Sequence, residues 1–133
     1  MTSPPLIEVV DDDEDVRRMM VMVLESHGFK VRTHQGGAAY LTAERAENPR
    51  VMLLDVRMPE MSGIELQVRL KETGDDIPVI FMSGESLPHE TLAAQRSDAI
   101  TFLCKPFHTR QLLDAIAQGL EVQAQSKGSA ADR

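Results

Sequence analysis

Apolar positions along the chain fall into two kinds of segment, short continuous runs and longer stretches with a helical repeat. Leu6–Ile7–Glu8–Val9–Val10 is a short run that stops at the acidic string Asp11–Asp12–Asp13–Glu14–Asp15, where a buried strand could not continue. Val16, Met19, Met20, Val23 and Leu24 then recur at helical spacing, with His27 and Gly28 placed as helix C-termini prefer. Lys30–Val31–Arg32–Thr33 is short and polar, suiting an edge strand, and Ala38 to Glu47 has the composition of a second helix closed by Asn48–Pro49. Val51–Met52–Leu53–Leu54, Val79–Ile80–Phe81–Met82 and Ile100–Thr101–Phe102–Leu103 read as central parallel strands covered on both faces.

Ile64 to Lys71 alternates with period two and by pattern alone would be a strand. Two parallel central strands flank it, and they need a crossover of a dozen or so residues for which Gly63 to Thr73 is the available material, so it is expected to be helical. A helix near His89 to Arg96 is short and weakly patterned. The last helix starts near Thr109 and carries Leu113, Ile116, Ala117 and Leu120 on one face. The sequence thus predicts a flexible start over residues 1–5, one domain over 6–122, and a flexible tail or start of a linker over 123–133. Five β-α units in alternation predict an α/β domain with an open parallel sheet and helices on both faces.

Composition narrows the function. The 133 residues, 42% apolar and 26% charged, suit one soluble domain that needs no disulfide or structural metal to fold, and the lone Cys104 can make neither. A net charge of −7 opposes sequence-independent binding to nucleic acid or to an anionic membrane. With no apolar run long enough to span a bilayer and no leader pattern in Met1 to Pro5, the expected address is the cytoplasm. The eight methionines read as adaptable packing, and His27, His34, His89 and His108 as scattered surface residues.

Ligands of such sheets sit beyond the carboxyl ends of the strands. Strand one ends in Asp11 and Asp12, strand three in Asp55, strand four in Ser83, and strand five, one residue later, in Lys105. Any one of these could be an ordinary loop residue, and Asp13, Glu14 and Asp15 read as a solvated helix cap. Their joint placement is the signal. Three converging carboxylates repel unless a cation neutralises them, and an all-oxygen donor set suits Mg²⁺ or Mn²⁺ rather than zinc. A carboxylate beside such a cation can act as a nucleophile toward phosphorus, with Lys105 and the Ser83 hydroxyl holding the phosphoryl oxygens.

Val9–Val10–Asp11–Asp12–Asp13, Leu53–Leu54–Asp55–Val56–Arg57–Met58–Pro59–Glu60–Met61–Ser62–Gly63, Met82–Ser83–Gly84 and Phe102–Leu103–Cys104–Lys105–Pro106–Phe107 together resemble the receiver domains of two-component response regulators. The resemblance covers roughly Leu6 to Val122. Its wording is most like the receivers that precede a LuxR-type domain in nitrogen-fixation regulators. It implies a flavodoxin-like (βα)5 domain with strand order 2-1-3-4-5. It also implies Asp55 as phosphoacceptor, and Asp11, Asp12, Asp55 and the Arg57 carbonyl around the metal. Ser83 and Lys105 would contact the phosphoryl group, Phe102 would be the switching aromatic, and a cis bond would precede Pro106. The implied partners are a histidine kinase or phosphotransfer protein, and an output protein or effector domain met by the face of the helix near 89–96, strand five and the last helix. A phosphorylation-dependent homodimer is also implied. Such a domain is a signalling switch and not an enzyme beyond its own phosphorylation and dephosphorylation. Phe102 lacks a tyrosine hydroxyl, Asp98 replaces a common glycine, and Arg57 and Glu85 border the phosphoryl group at variable positions.

Two other classes compete. A phosphatase of the haloacid dehalogenase type also uses an Asp nucleophile with Mg²⁺ and Lys, but wants a second acid where Arg57 stands. A flavodoxin-like cofactor binder wants a glycine- and hydroxyl-rich loop after strand one, where this chain presents acids.

Overall fold

A computed structural model describes residues 4–47, 49–84 and 99–131, with 126–131 described by backbone alone. The strands are β1 (Leu6–Val10), β2 (Lys30–His34), β3 (Arg50–Asp55), β4 (Val79–Ser83) and β5 (Thr101–Cys104), and the helices α1 (Glu14–Ser26), α2 (Gly37–Thr42), α3 (Gly63–Glu72) and α4 (Thr109–Ala131). All neighbouring strands pair in parallel, in the order β2-β1-β3-β4-β5. The expected helix near His89 to Arg96, with Glu85 and Asp98, lies outside the described residues.

Side-chain alternation along each strand builds two cores. Ile7, Val9, Val51, Leu53, Ile80, Met82 and Leu103 pack against Met20 and Leu24 of α1 and Leu112, Ala115 and Ile116 of α4. Val10, Met52, Leu54, Val79 and Phe81 pack on the other side against Tyr40 of α2 and Leu66 and Leu70 of α3. Helices therefore cover both faces, and the polar strand ends are left at one edge.

The helix boundaries follow from local chemistry. Asp13 caps α1, its carboxylate accepting from the N–H groups of Asp15 at 2.9 Å and Val16 at 3.4 Å. Gly28, at φ +89°, takes the left-handed turn that ends α1. The Ser62 hydroxyl caps α3 by accepting from Glu65 N–H at 3.1 Å. In α3 the buried positions are Gly63, Leu66, Gln67 and Leu70, a helical repeat, while Val68 stands exposed. The requirement for a crossover thus outweighs the period-two pattern.

Three boundaries differ from expectation. Helix α2 ends at Thr42, not Glu47, and the chain turns extended at Ala43. The segment beyond is tied down as coil, because Arg32 Nη1 donates to the Glu44 carbonyl at 2.7 Å and Arg45 lies 3.5 Å from Asp75. Helix α4 runs on through the expected tail as far as Ala131, and Gln123 Oε1 accepts from the Arg50 N–H at the start of β3. Of the expected stripe Leu113, Ile116, Ala117 and Leu120, Ile116 is buried and Leu120 packs against the core, but Ala117 is exposed and Leu113 half-buried, and the buried face is completed by Leu112, Ala115 and Gly119. Gly119 explains the rotation: a Cβ there would stand 2.9 Å from Val51, so glycine lets α4 press onto β3. At the other end Pro5 is tied in, its carbonyl accepting from Lys30 N–H at 3.1 Å.

An acidic crevice at the carboxyl ends of the strands

The register pairs Val10 of β1 with Leu54 of β3, so the next residue of each strand, Asp11 and Asp55, emerges on neighbouring strands at the same level. The alternation that aims Ile7 and Val9, Val51 and Leu53, and Leu103 at the α1–α4 core carries on to Asp11, Asp55 and Lys105. Asp11 and Asp55 are buried and Asp12 is exposed, and one carboxylate oxygen from each of the three lies within 4.8 Å of the others.

The two buried acids are held by backbone. The Asp11 N–H donates to the His34 carbonyl at 3.1 Å, and Asp11 Oδ1 accepts from the Asp13 N–H at 2.9 Å. Asp55 accepts from the Arg57 N–H. Behind it, Val56 N–H donates to Met82 O at 3.0 Å and Gly63 N–H to Val56 O at 2.9 Å. A Cβ on Gly63 would meet the Asp55 carbonyl at 2.3 Å, so only glycine allows the start of α3 to close against the acid-bearing turn.

Lys105 supplies the positive charge. Its Nζ donates to Asp11 Oδ2 at 3.1 Å and stands 3.8 Å from Asp55 Oδ1. Its N–H donates to Ser83 O at 2.8 Å, and the Lys105–Pro106 peptide is cis. One ammonium does not offset the crowding. Burial lifts the Asp55 carboxyl to about 7, with the Asp11 charge pushing the same way against Lys105 and the Arg57 N–H, and Asp12 adding a smaller upward push.

Ser83 is buried at the end of β4. Phe102 is half-buried on β5, beside Phe81, and packs against the α2–α3 core. Alternation puts Ser83 and Phe102 on that same face, opposite to the side from which Asp11, Asp55 and Lys105 converge. Arg57 is exposed next to Asp55. Cys104 is exposed and free.

A second polar constellation escaped sequence reasoning. Glu8, in the middle of β1, is fully buried. It accepts from Arg32 Nε at 2.7 Å, Arg32 Nη2 at 2.5 Å and His34 Nε2 at 2.9 Å, with Arg50 Nη1 at 3.7 Å. His34 is therefore buried rather than a surface residue. Its ring meets Tyr40 edge-on at 5.1 Å. The Tyr40 hydroxyl donates to Asp75 at 2.8 Å and accepts from Arg50 Nη1 at 2.8 Å, and Arg50 Nη2 reaches Asp75 at 2.9 Å. The available signal was a charged residue inside a strand due to be buried on both sides, with Arg32 and His34 on the adjoining strand.

A doubly wound parallel α/β sheet with an acid triad and one lysine at its carboxyl edge is the architecture of phosphoacceptor signalling domains. The chain belongs to the response regulator receiver domain family, which it matches over residues 7–117. It is 37% identical over 125 residues to the response regulator protein TmoT of Ectopseudomonas mendocina, covering 94% of this chain and 57% of that one. To the transcriptional regulatory protein FixJ of Rhizobium meliloti it is 33% identical over 115 residues, covering 86% and 56%. The chain thus spans about half the length of the curated relatives it matches.

Among solved structures it resembles response regulator StyR, with TM-score 0.89, 40% identity, and coverage of 98% of this chain and 66% of that one. For FixJ-N the values are 0.81, 34%, 91% and 96%. The family and strand order agree with the resemblance seen in the motifs, and the dehalogenase-type phosphatase reading falls away. Among the described residues no helix is long and apolar enough to cross a membrane.

Proposed function

We propose that this receiver domain takes a phosphoryl group from a histidine kinase or phosphotransfer protein onto Asp55 and thereby changes a protein-binding face. The observation that carries this is a buried, crowded Asp55 carboxylate 3.8 Å from the Lys105 ammonium at the open edge of the sheet. An Asp55 oxygen attacks phosphorus, the P–N bond to the donor imidazole breaks, and the bonding pair leaves with that ring. Lys105 and the Ser83 hydroxyl hold the transferred phosphoryl oxygens.

The carboxylates of Asp11, Asp12 and Asp55 fit a hard divalent cation, Mg²⁺ or Mn²⁺, because their oxygens converge within 4.8 Å and no softer donor stands among them. These three, with the Arg57 carbonyl, would hold it. When bound, the cation neutralises carboxylate repulsion and the charge of the incoming phosphoryl group.

Ser83 moving toward the phosphoryl oxygens would open space for Phe102 on the same face of the sheet. Two packings of that region would then bias a surface that includes β5 and α4. Binding there would be to an output protein, an effector domain or a second copy of the chain. An ATP-dependent kinase as donor would place the exchange in the cytoplasm.

Acetyl phosphate with Mg²⁺ should add one acid-stable, base-labile phosphoryl group to the wild-type domain and none to Asp55→Asn, read by intact-mass spectrometry. Equal labelling of Asp55→Asn overturns the assignment, and continuous turnover of varied phosphate esters restores the phosphatase reading.

A further inference from the structure

We infer that Arg17 is a positioning residue for the cation site, acting through the peptide that joins Asp11 to Asp12. This rests on the proposed role of Asp11, Asp12 and Asp55 as cation ligands. Arg17 lies in the first turn of α1, half-buried, and its Nη1 donates to the Asp11 carbonyl at 2.7 Å across a span of six residues. That carbonyl stands one residue past the end of β1.

The rest of the turn is pinned by other bonds: Asp11 N–H to His34 O, Asp13 N–H to the Asp11 carboxylate, and Arg17 N–H to Asp13 O at 3.1 Å. The guanidinium fixes the plane of the Asp11–Asp12 peptide, and with it the direction in which the exposed Asp12 side chain leaves the backbone. Neighbouring Arg18 shows the contrast, since its guanidinium goes to exposed Glu14 at 2.8 Å on the helix surface.

The sign of the effect separates positioning from plain electrostatics. A positive group beside a cation site repels the cation, so removing it as a mere charge would tighten binding. Removing a support that orients a ligand weakens binding, typically by tenfold or more.

Mg²⁺ is titrated by amide chemical shift into wild type, Arg17→Met and Arg17→Lys, and each is melted in EDTA. We expect Arg17→Met to bind Mg²⁺ about tenfold more weakly. We expect its metal-free melting temperature to stay close to wild type, and Arg17→Lys, which keeps a donor on a long stem, to recover part of the loss. Unchanged or tighter binding by Arg17→Met overturns the inference. Should Arg17→Met fail to fold, a folded, charge-neutral Arg17→Gln that binds Mg²⁺ as tightly as wild type, or more tightly, overturns it equally. If wild type itself shows no saturable Mg²⁺ binding, the cation-site reading has failed, a result distinct from a wild type that binds and a variant that binds equally well.

Discussion

Glu8 and Asp55 are both buried carboxylates on the adjacent strands β1 and β3, yet their surroundings drive them in opposite directions. Burial raises the pKa of each. At Glu8 the hydrogen bonds and charges of His34 and Arg32 override burial and hold the carboxyl below its ordinary value. At Asp55 burial and the Asp11 charge prevail over Lys105, and the group rises to about 7. One acid facing two guanidinium groups and an imidazole is a finished structural unit. Three acids facing one ammonium form a site that lacks positive charge and gains from importing it. The number of cations per carboxylate, rather than depth of burial, separates scaffold from site in this sheet.

The comparison makes its largest demand on Glu8. Replacing it by Gln leaves Arg32, His34 and Arg50 around a neutral amide, and should lower unfolding free energy by about 3–5 kcal/mol. Urea denaturation measures it, and a loss below about 1 kcal/mol would show that the network is not the structural unit described. Asp55→Asn should act with the opposite sign, raising stability in metal-free buffer at neutral pH by about 1–3 kcal/mol because it removes a crowded charge. Destabilisation there would mean that the crevice is already balanced.

The pH dependence sharpens the same contrast. The folded-state pKa of Asp55 lies above its unfolded value of ~3.9, so between there and about 7 the folded protein binds more protons than the unfolded chain and metal-free stability falls as pH rises. Glu8 is depressed, so its contribution is present above its ordinary pKa and is lost as pH drops through the folded value. The stability difference between wild type and Asp55→Asn should therefore widen from pH 4 to pH 7 and close again on adding Mg²⁺. Equilibrium denaturation in EDTA at several pH values reads this, and a flat difference would contradict the Asp55 assignment. The smallest effect is expected from Tyr40→Phe. It deletes one hydroxyl while Arg50 and Asp75 keep each other, a loss of about 0.5–1.5 kcal/mol by thermal melting.

The two regions were also unequally readable from sequence. The crevice was legible because its residues stand where apolar strand runs stop, and a polar residue at that point is visible without knowing any contact. Asp11, Asp12, Asp55 and Lys105 do converge. The Glu8 network was not legible, because Glu8 interrupts an apolar run without ending it and its partners come from β2 and β3. Only the register, with Glu8 beside Arg32 and Met52, says which charges meet. The same blindness to tertiary partners explains the shortened α2, whose continuation is held by Arg32 and by Asp75, and the rotated face of α4, where Gly119 permits a closer approach than a larger apolar residue would. His34 read as surface because its polar character was weighed without its buried acid.

The Lys105–Asp11 bond joins residues 94 positions apart. On a ribosome adding roughly 5–20 residues per second, the three carboxylates are made well before the lysine that faces them, a delay of about 3–10 seconds between Asp55 and Lys105. During that interval the emerging chain carries the three acids without the ammonium that faces them. A chain interrupted before β5 lacks this ammonium. The charge balance of the crevice is thus set only once β5 and the residue that follows it have been made, so it depends on completion of the domain.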